Sequence, residues 1–132
     1  MSRECLNCGQ GNLRHAVKDV RYEYKGYANI VPKVAGWHCP RCHEVEFDAG
    51  EGKRFAAAIK RIAAEIDAKE AADLARIRKK LKLTQQEAAR ITGGGPNAFS
   101  RYERGKVRPL PAVTNLFRLL DLHPELLNEL QT

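Results

Sequence analysis

Four cysteines stand as two pairs, Cys5-Leu6-Asn7-Cys8 and Cys39-Pro40-Arg41-Cys42, separated by residues 9–38. A C-x-x-C turn can point both sulfurs at one ion. Two such turns complete a tetrahedral shell of four thiolates, so Cys5, Cys8, Cys39 and Cys42 are read as ligands of one structural Zn2+. Disulfides are disfavoured in the cytoplasm. A thioredoxin-like site needs one C-x-x-C beside a βαβ unit, and none is evident. No fifth cysteine remains to act as a nucleophile. His38 and His43 flank the second pair and are read as surface neighbours rather than ligands. A catalytic zinc would keep an open position and a general base. The deaminase pattern H-x-E before P-C-x-x-C is absent, so the chain is not read as an enzyme.

The second candidate is Thr92–Gly105, TGGGPNAFSRYERG. A phosphate-binding loop needs G-x-x-x-x-G-K-[ST] after a strand, and a dinucleotide fold needs G-x-G-x-x-G in a βαβ unit. Here a helical pattern precedes the glycines and no Lys-Ser/Thr follows. Two short helices joined by a tight glycine-containing turn fit instead, which is a helix-turn-helix. Pro96 suits the first turn of the second helix, Phe99 is its inward anchor, and Gly105 ends it. Asn97 and Arg101, four apart, share its outer face. Asn can pair bidentately with adenine and Arg with guanine, so these two are the candidate base readers. Ser100, Arg104 and Lys106, together with Gln85 at the start of the preceding helix, are candidate phosphate contacts, with Arg108 a further charge.

These residues need elements to hold them. Val20, Tyr22 and Tyr24 alternate with Arg21 and Glu23, which is strand periodicity. Lys25-Gly26 reads as a hairpin turn, and Pro32 as a strand edge or end. The N-terminal part is thus a small zinc-stapled β module, too short to bury much core by itself. Its tyrosines either cover that core or flank an edge that accepts a partner strand. From about Gly50 the period becomes helical, with Phe55, Ile59, Ile62 and Ile66 on one stripe. Lys60 and Arg61 lie on other faces and are further candidate phosphate contacts. Residues 67–73 contain no Gly or Pro and either continue the helix or bend. Leu74, Ile77 and Leu81 begin an all-helical part, and Thr84–Glu87 is a capping box. The fold class is α+β: a zinc-bound β domain over 1–66, a linker over 67–73, and a helix-turn-helix domain over 74–132. Leu116, Phe117, Leu119, Leu120, Leu122, Leu126, Leu127 and Leu130 exceed what one face of two short helices buries. A homodimer would cover the surplus and set two recognition helices about 34 Å apart.

The formal charge is +7 over 132 residues. Residues 1–70 hold 12 Lys/Arg against 10 Asp/Glu, and residues 71–132 hold 11 against 6. The basic C-terminal half points to a polyanionic partner. No apolar run approaches the ~20 residues that span a membrane, and the N-terminus lacks the apolar core of a signal peptide. The expected compartment is the cytoplasm.

Residues 83–105, LTQQEAARITGGGPNAFSRYERG, resemble the Xre/Cro-like helix-turn-helix regulators, departing at Gly94-Gly95. With CLNCGQG, CPRC and the C-terminal LDLHPELLNEL, nearly the whole chain resembles the MqsA family of type II antitoxins, where the glycine-rich turn is part of the pattern. The resemblance implies a zinc domain that neutralises an mRNA-cleaving ribonuclease toxin, MqsR-like, and a helix-turn-helix domain that dimerises on a palindromic operator and represses its own operon. It places the base readers on Asn97 and Arg101 and the zinc ligands on the four cysteines. Tyr22, Tyr24 and Tyr27, in the toxin-facing strand region, are the candidate toxin contacts. The other reading left open is a zinc-containing transcription regulator with no toxin, which the product of the adjacent gene would distinguish.

Overall fold

A computed structural model describes residues 3–131. Four strands, β1 (Arg3–Glu4), β2 (Asn12–Tyr24), β3 (Tyr27–His38) and β4 (Val45–Phe47), precede five helices. These are α1 (Glu51–Lys80), α2 (Gln85–Thr92), α3 (Ala98–Glu103), α4 (Pro111–Leu122) and α5 (Leu127–Leu130), with a 3₁₀ turn at Pro124–Leu126. The chain divides into two compact units between Ala63 and Ala64, inside α1. Residues 67–73 are helical. Among the described residues no helix is long and apolar enough to cross a membrane.

The first unit is an antiparallel sheet in the order β1-β2-β3-β4. Tyr24 pairs with Tyr27 across a two-residue turn. Lys25 and Gly26 there have φ 51° and 81°, the left-handed pair that matches the twist of a hairpin. Val20, Tyr22 and Tyr24 are half-buried while Arg21 and Glu23 are exposed, as the alternation predicts. Pro32 lies within β3 but on an edge, because β4 pairs only with Gly36–His38 and leaves the outer side of β3 without a strand there. Val20 faces Val31 and Lys18 faces Val34, so Asp19 opposes both Pro32 and Lys33 in a bulge. A bulge has no ladder bond for Pro32 to lose. Lys33 (φ 53°) donates its N–H to Asp19 at 3.0 Å, and Arg54 of α1 donates to the carbonyls of Pro32 at 3.2 Å and Lys33 at 2.6 Å. Glu51 accepts the Ala35 N–H at 2.9 Å. Its carboxyl is held down at about 2 by the Arg54 guanidinium first and that N–H second. Polar groups at the start of α1 thus lock the bulge, and Phe47 of β4 stacks on Phe55 at 5.0 Å.

The second unit has one apolar core built from Leu74, Ile77, Leu81, Leu83, Ala88, Ala89, Phe99, Tyr102, Val113, Phe117 and Leu120. Leu74, Ile77 and Leu81, expected inward, are all in it. The exit from α1 passes through Lys82 at φ 59°, with the Leu83 N–H on the Arg78 carbonyl at 3.1 Å and the Lys82 N–H on Lys79 at 3.0 Å. That is a Schellman closure without a glycine. The capping box is complete: Glu87 N–H donates to Thr84 Oγ1 at 3.1 Å and Thr84 N–H to Glu87 Oε1 at 3.0 Å.

Asp121 at the end of α4 receives Arg76 at 3.1 Å and Lys80 at 2.8 Å, both from α1. Its carboxyl is lowered to about 2, by Arg76 first and then Lys80. An unfolded Asp titrates near ~3.9. A depressed folded pKa contributes stability above the unfolded value and loses it as pH falls toward the folded one. The midpoint of thermal unfolding of these helices should therefore fall between about pH 5 and pH 2, and Asp121→Asn should flatten that part of the slope. An unchanged slope in the variant would show that the cluster does not couple to folding.

Candidate metal centre and nucleic-acid interface

The two C-x-x-C turns converge. The four sulfurs all lie within 4.8 Å of one another. Cys5 and Cys42 are 3.6 Å apart, and Cys8 and Cys39 are 3.8 Å apart. A tetrahedral ion with metal–sulfur bonds of about 2.3 Å holds its sulfurs about 3.8 Å from each other, whereas a disulfide brings them to about 2.05 Å. The spacing fits one metal ion and no disulfide.

Each turn is shaped by its backbone. Cys5 N–H donates to Gly11 and Gly9 N–H to Cys5, both at 2.8 Å; Cys39 N–H donates to Glu44 at 2.9 Å and His43 N–H to Cys39 at 3.0 Å. A Cβ on Gly11 would stand 2.4 Å from Cys39 Sγ, so only glycine lets the strand pass the sulfurs. Donors aim at the sulfurs: Asn7 Nδ2 reaches Cys42 Sγ at 3.6 Å, and Cys42 N–H reaches Cys39 Sγ at 3.5 Å. The Asn7 amide first, then the Glu44 N–H, pulls the Cys42 thiol down to about 6. The Gln10 N–H is the main cause lowering Cys8. Cys5 goes the other way, to about 11. The Cys8 N–H, which pulls it down, is outweighed by burial and by the sulfurs of Cys42 and Cys39. Crowded thiolates of one sign need a cation among them.

His38 does not lie at the surface as the sequence reading had it. It is buried, with Nε2 bonded to the Val34 carbonyl at 2.9 Å, because β3 carries it onto the covered face. His43 is exposed at φ 66°. Neither belongs to the cysteine cluster.

The helix-turn-helix pair is α2 and α3. Gly93 closes α2 at φ 79°, its N–H on Ala89 at 2.7 Å, and Gly95 has φ 84°. A Cβ on Gly94 would meet that of Ala98 at 3.0 Å. Glycine suits all three positions, two for left-handed backbone and one for close approach. Their conformation delays the next helix. Pro96, expected in its first turn, lies in the turn before it, and α3 begins at Ala98. Phe99 is completely buried against Phe117 (5.0 Å) and Tyr102 (5.6 Å). The Lys106 N–H on Arg101 (3.0 Å) and the Gly105 N–H on Tyr102 (3.1 Å) close the helix.

Asn97 holds the N-cap position of α3 without capping. An N-cap Asn ordinarily lends its oxygen to a first-turn N–H. Here ψ is 0°, not extended, and no such bond forms. Asn97 and Arg101 are both exposed, and neither side chain has a hydrogen-bond or ion-pair partner among the described residues. Residues 3–131 match the family model described as the antitoxin component of a bacterial toxin-antitoxin system, MqsA. The chain belongs to the MqsA antitoxin family. It is 41% identical over 130 residues to Antitoxin MqsA of Escherichia coli (strain K12), covering 97% of this chain and 99% of that one. A solved structure of the N-terminal domain of the E. coli protein MqsA covers 50% of this chain and 98% of its own, at 27% identity and TM-score 0.44.

In this MqsA-family antitoxin the other candidate contacts divide. Lys60, Arg61, Arg104 and Lys106 are exposed, and Ser100 is half-buried. Arg104 turns its Nε back to the Ser100 carbonyl at 3.2 Å. Gln85 is partly engaged, donating to Glu103 at 3.4 Å. Arg108 pairs with Asp67 at 3.2 Å. Tyr22 and Tyr24 are half-buried, and Tyr27 is 51% exposed at the hairpin tip. β1 pairs only with the start of β2, so beyond Leu13 the outer edge of β2 has no strand partner among the described residues. Leu110, Leu119, Leu122, Leu126 and Leu130 are exposed on α4, α5 and their flanks.

Sequence reasoning missed Asn7 and Gly11, which tune and shape the metal centre, and the pair Arg78–Glu103. The first two sit inside CLNCGQG and were legible from the crowding such a knuckle imposes. The pair had no signal, because its members are 25 positions apart in stretches rich in charge.

Proposed function

We propose that this antitoxin neutralises a ribonuclease toxin of the MqsR kind through its N-terminal unit and represses transcription by binding a palindromic operator through α3. The observation that carries the DNA half is the pair Asn97 and Arg101, outward-facing and uncommitted on a helix whose remaining side chains are largely anchored. Asn97 would read adenine and Arg101 guanine in the major groove. Gln85, Ser100, Arg104, Lys106, Lys60 and Arg61 would hold phosphates. The exposed leucines of α4 and α5 would be covered in a two-fold homodimer. The metal is Zn2+, which four thiolates at this spacing suit, and its role is structural, since four cysteines close the shell. The toxin would meet the free β2 edge and Tyr22, Tyr24 and Tyr27, by strand addition.

Asn97→Ala and Arg101→Ala are each expected to weaken operator binding by ~1–3 kcal/mol per half-site and to relax preference at one base pair. Selection of bound duplexes from a random pool, followed by titration, checks this. Equal preference for operator over random DNA in variant and wild type would overturn the assignment. The toxin half is tested by co-purification with the adjacent gene's product and inhibition of its RNA cleavage. Absence of both would leave a DNA-binding regulator only.

A further inference from the structure

A part-buried polar node lies beside the apolar core of the second unit. Arg78 of α1 and Glu103, the last residue of α3, form a two-pronged ion pair at 2.7 and 3.0 Å, with side chains only 13% and 10% exposed. The same guanidinium donates to the Leu83 carbonyl at 2.9 Å, in the turn that leads into α2. Glu103 Oε1 also accepts from the amide of Gln85, the first residue of α2. One ion pair therefore ties three helices together.

The apolar contacts of α3, through Phe99 and Tyr102, anchor this six-residue helix but are non-directional. A bidentate guanidinium–carboxylate pair is directional. Glu103 follows Arg101 by two positions, about 200° around the helix, so fixing Glu103 inward fixes Arg101 outward. Its hold on one N–H of Gln85 also orients the second N–H of that amide. We propose that Arg78 and Glu103 are positioning residues for DNA reading: together they set the roll of α3, and hence the aim of Asn97 and Arg101, and they orient the Gln85 amide toward a phosphate. This inference rests on the DNA-binding reading above.

Burial of an ion pair contributes little net stability, and apolar replacements of similar volume are often neutral or stabilising. Position and stability can therefore be separated. The full-length, metal-loaded chain carrying R78M/E103L is expected to unfold at a temperature no lower than wild type. Its preference for a duplex enriched by the wild-type protein over a scrambled duplex should drop about tenfold or more, as misaimed base contacts would require. E103Q, which keeps the shape and part of the bonding, is expected to lose less. Should R78M/E103L fail to fold, E103Q against R78K decides, each measured well below its own unfolding temperature. R78K keeps the charge but not the fork and should lose more discrimination than E103Q. Wild-type discrimination in a folded R78M/E103L, or in both single variants, would overturn the proposal. If the wild-type protein enriches no sequence at all, the DNA-binding reading fails and takes this inference with it. An enriched duplex that every variant still prefers defeats this inference alone.

Discussion

Removing the metal from the full-length chain with a strong chelator is expected to unfold the cysteine end of the sheet while the helices of the second unit persist. The apolar cluster around the cysteines consists of Leu13 and Trp37 and the cysteines themselves. So few apolar groups cannot offset the ordering of residues 3–15 and 36–45, at roughly 1–2 kcal/mol of backbone entropy each. Structural zinc sites contribute on the order of 10–16 kcal/mol in small metal-dependent modules, so an ion held by the four cysteines would be the dominant stabilising contact here. Further along the hairpin, Val31 and Val34 are buried, and Arg54 and Glu51 bond the bulge independently of the metal. Residue-resolved amide exchange should therefore show protection vanishing first and most completely at 3–15 and 36–45. The core around Phe99 and Phe117 should be unchanged, and added Zn2+ should restore the lost signals. Retention of the sheet without metal would show that the ion is dispensable for folding. Simultaneous loss of the helices would show that the two units do not fold separately.

Phe99→Ala should cost about 3–5 kcal/mol, the usual range for deleting a fully buried phenylalanine ring. Domains of this size have only ~5–15 kcal/mol in hand, so the second unit would be largely unfolded on mild warming. The ring is completely inaccessible and wedged between Phe117 and Tyr102. It also lies between Asn97 and Arg101, so the variant should lose sequence-specific DNA binding along with helicity. The metal content should not change. Phe99→Leu, which refills part of the volume, should cost about half as much or less. Urea unfolding followed by far-UV circular dichroism, with metal analysis alongside, checks both variants. A melting profile within a degree or two of wild type for Phe99→Ala would mean that α3 is held chiefly by other contacts.

Much of the fold was legible because it follows from local rules. Alternation of Val20, Tyr22 and Tyr24 announced a strand, the stripe Phe55, Ile59, Ile62 and Ile66 a helix, and Thr84–Glu87 a capped start. Two C-x-x-C turns announced a four-sulfur cluster, and the glycine-rich stretch a tight inter-helix turn. Each depends on side-chain periodicity or on backbone chemistry within a few residues. What misled was equally local. Pro96 looks like a helix start, yet Gly93 and Gly95 hold the chain left-handed just before it and push the helix to Ala98. His38 looks like a surface neighbour of the cysteines until the sheet's pairing turns it inward.

The sequence by itself therefore determined most of the elements and the four-cysteine cluster, and it named candidate side chains for partners. Only the tertiary structure decided which of those side chains are free. Arg78 and Arg101 are the same residue type, and nothing in their local sequence says which one is paired. One is spent on Glu103 and Leu83 in a part-buried pair, and the other is left open on α3. The physical reason is that pairing depends on distance in space. A contact across 25 positions leaves no periodic trace in the chain, whereas a helix or a cysteine knuckle writes its rule within four.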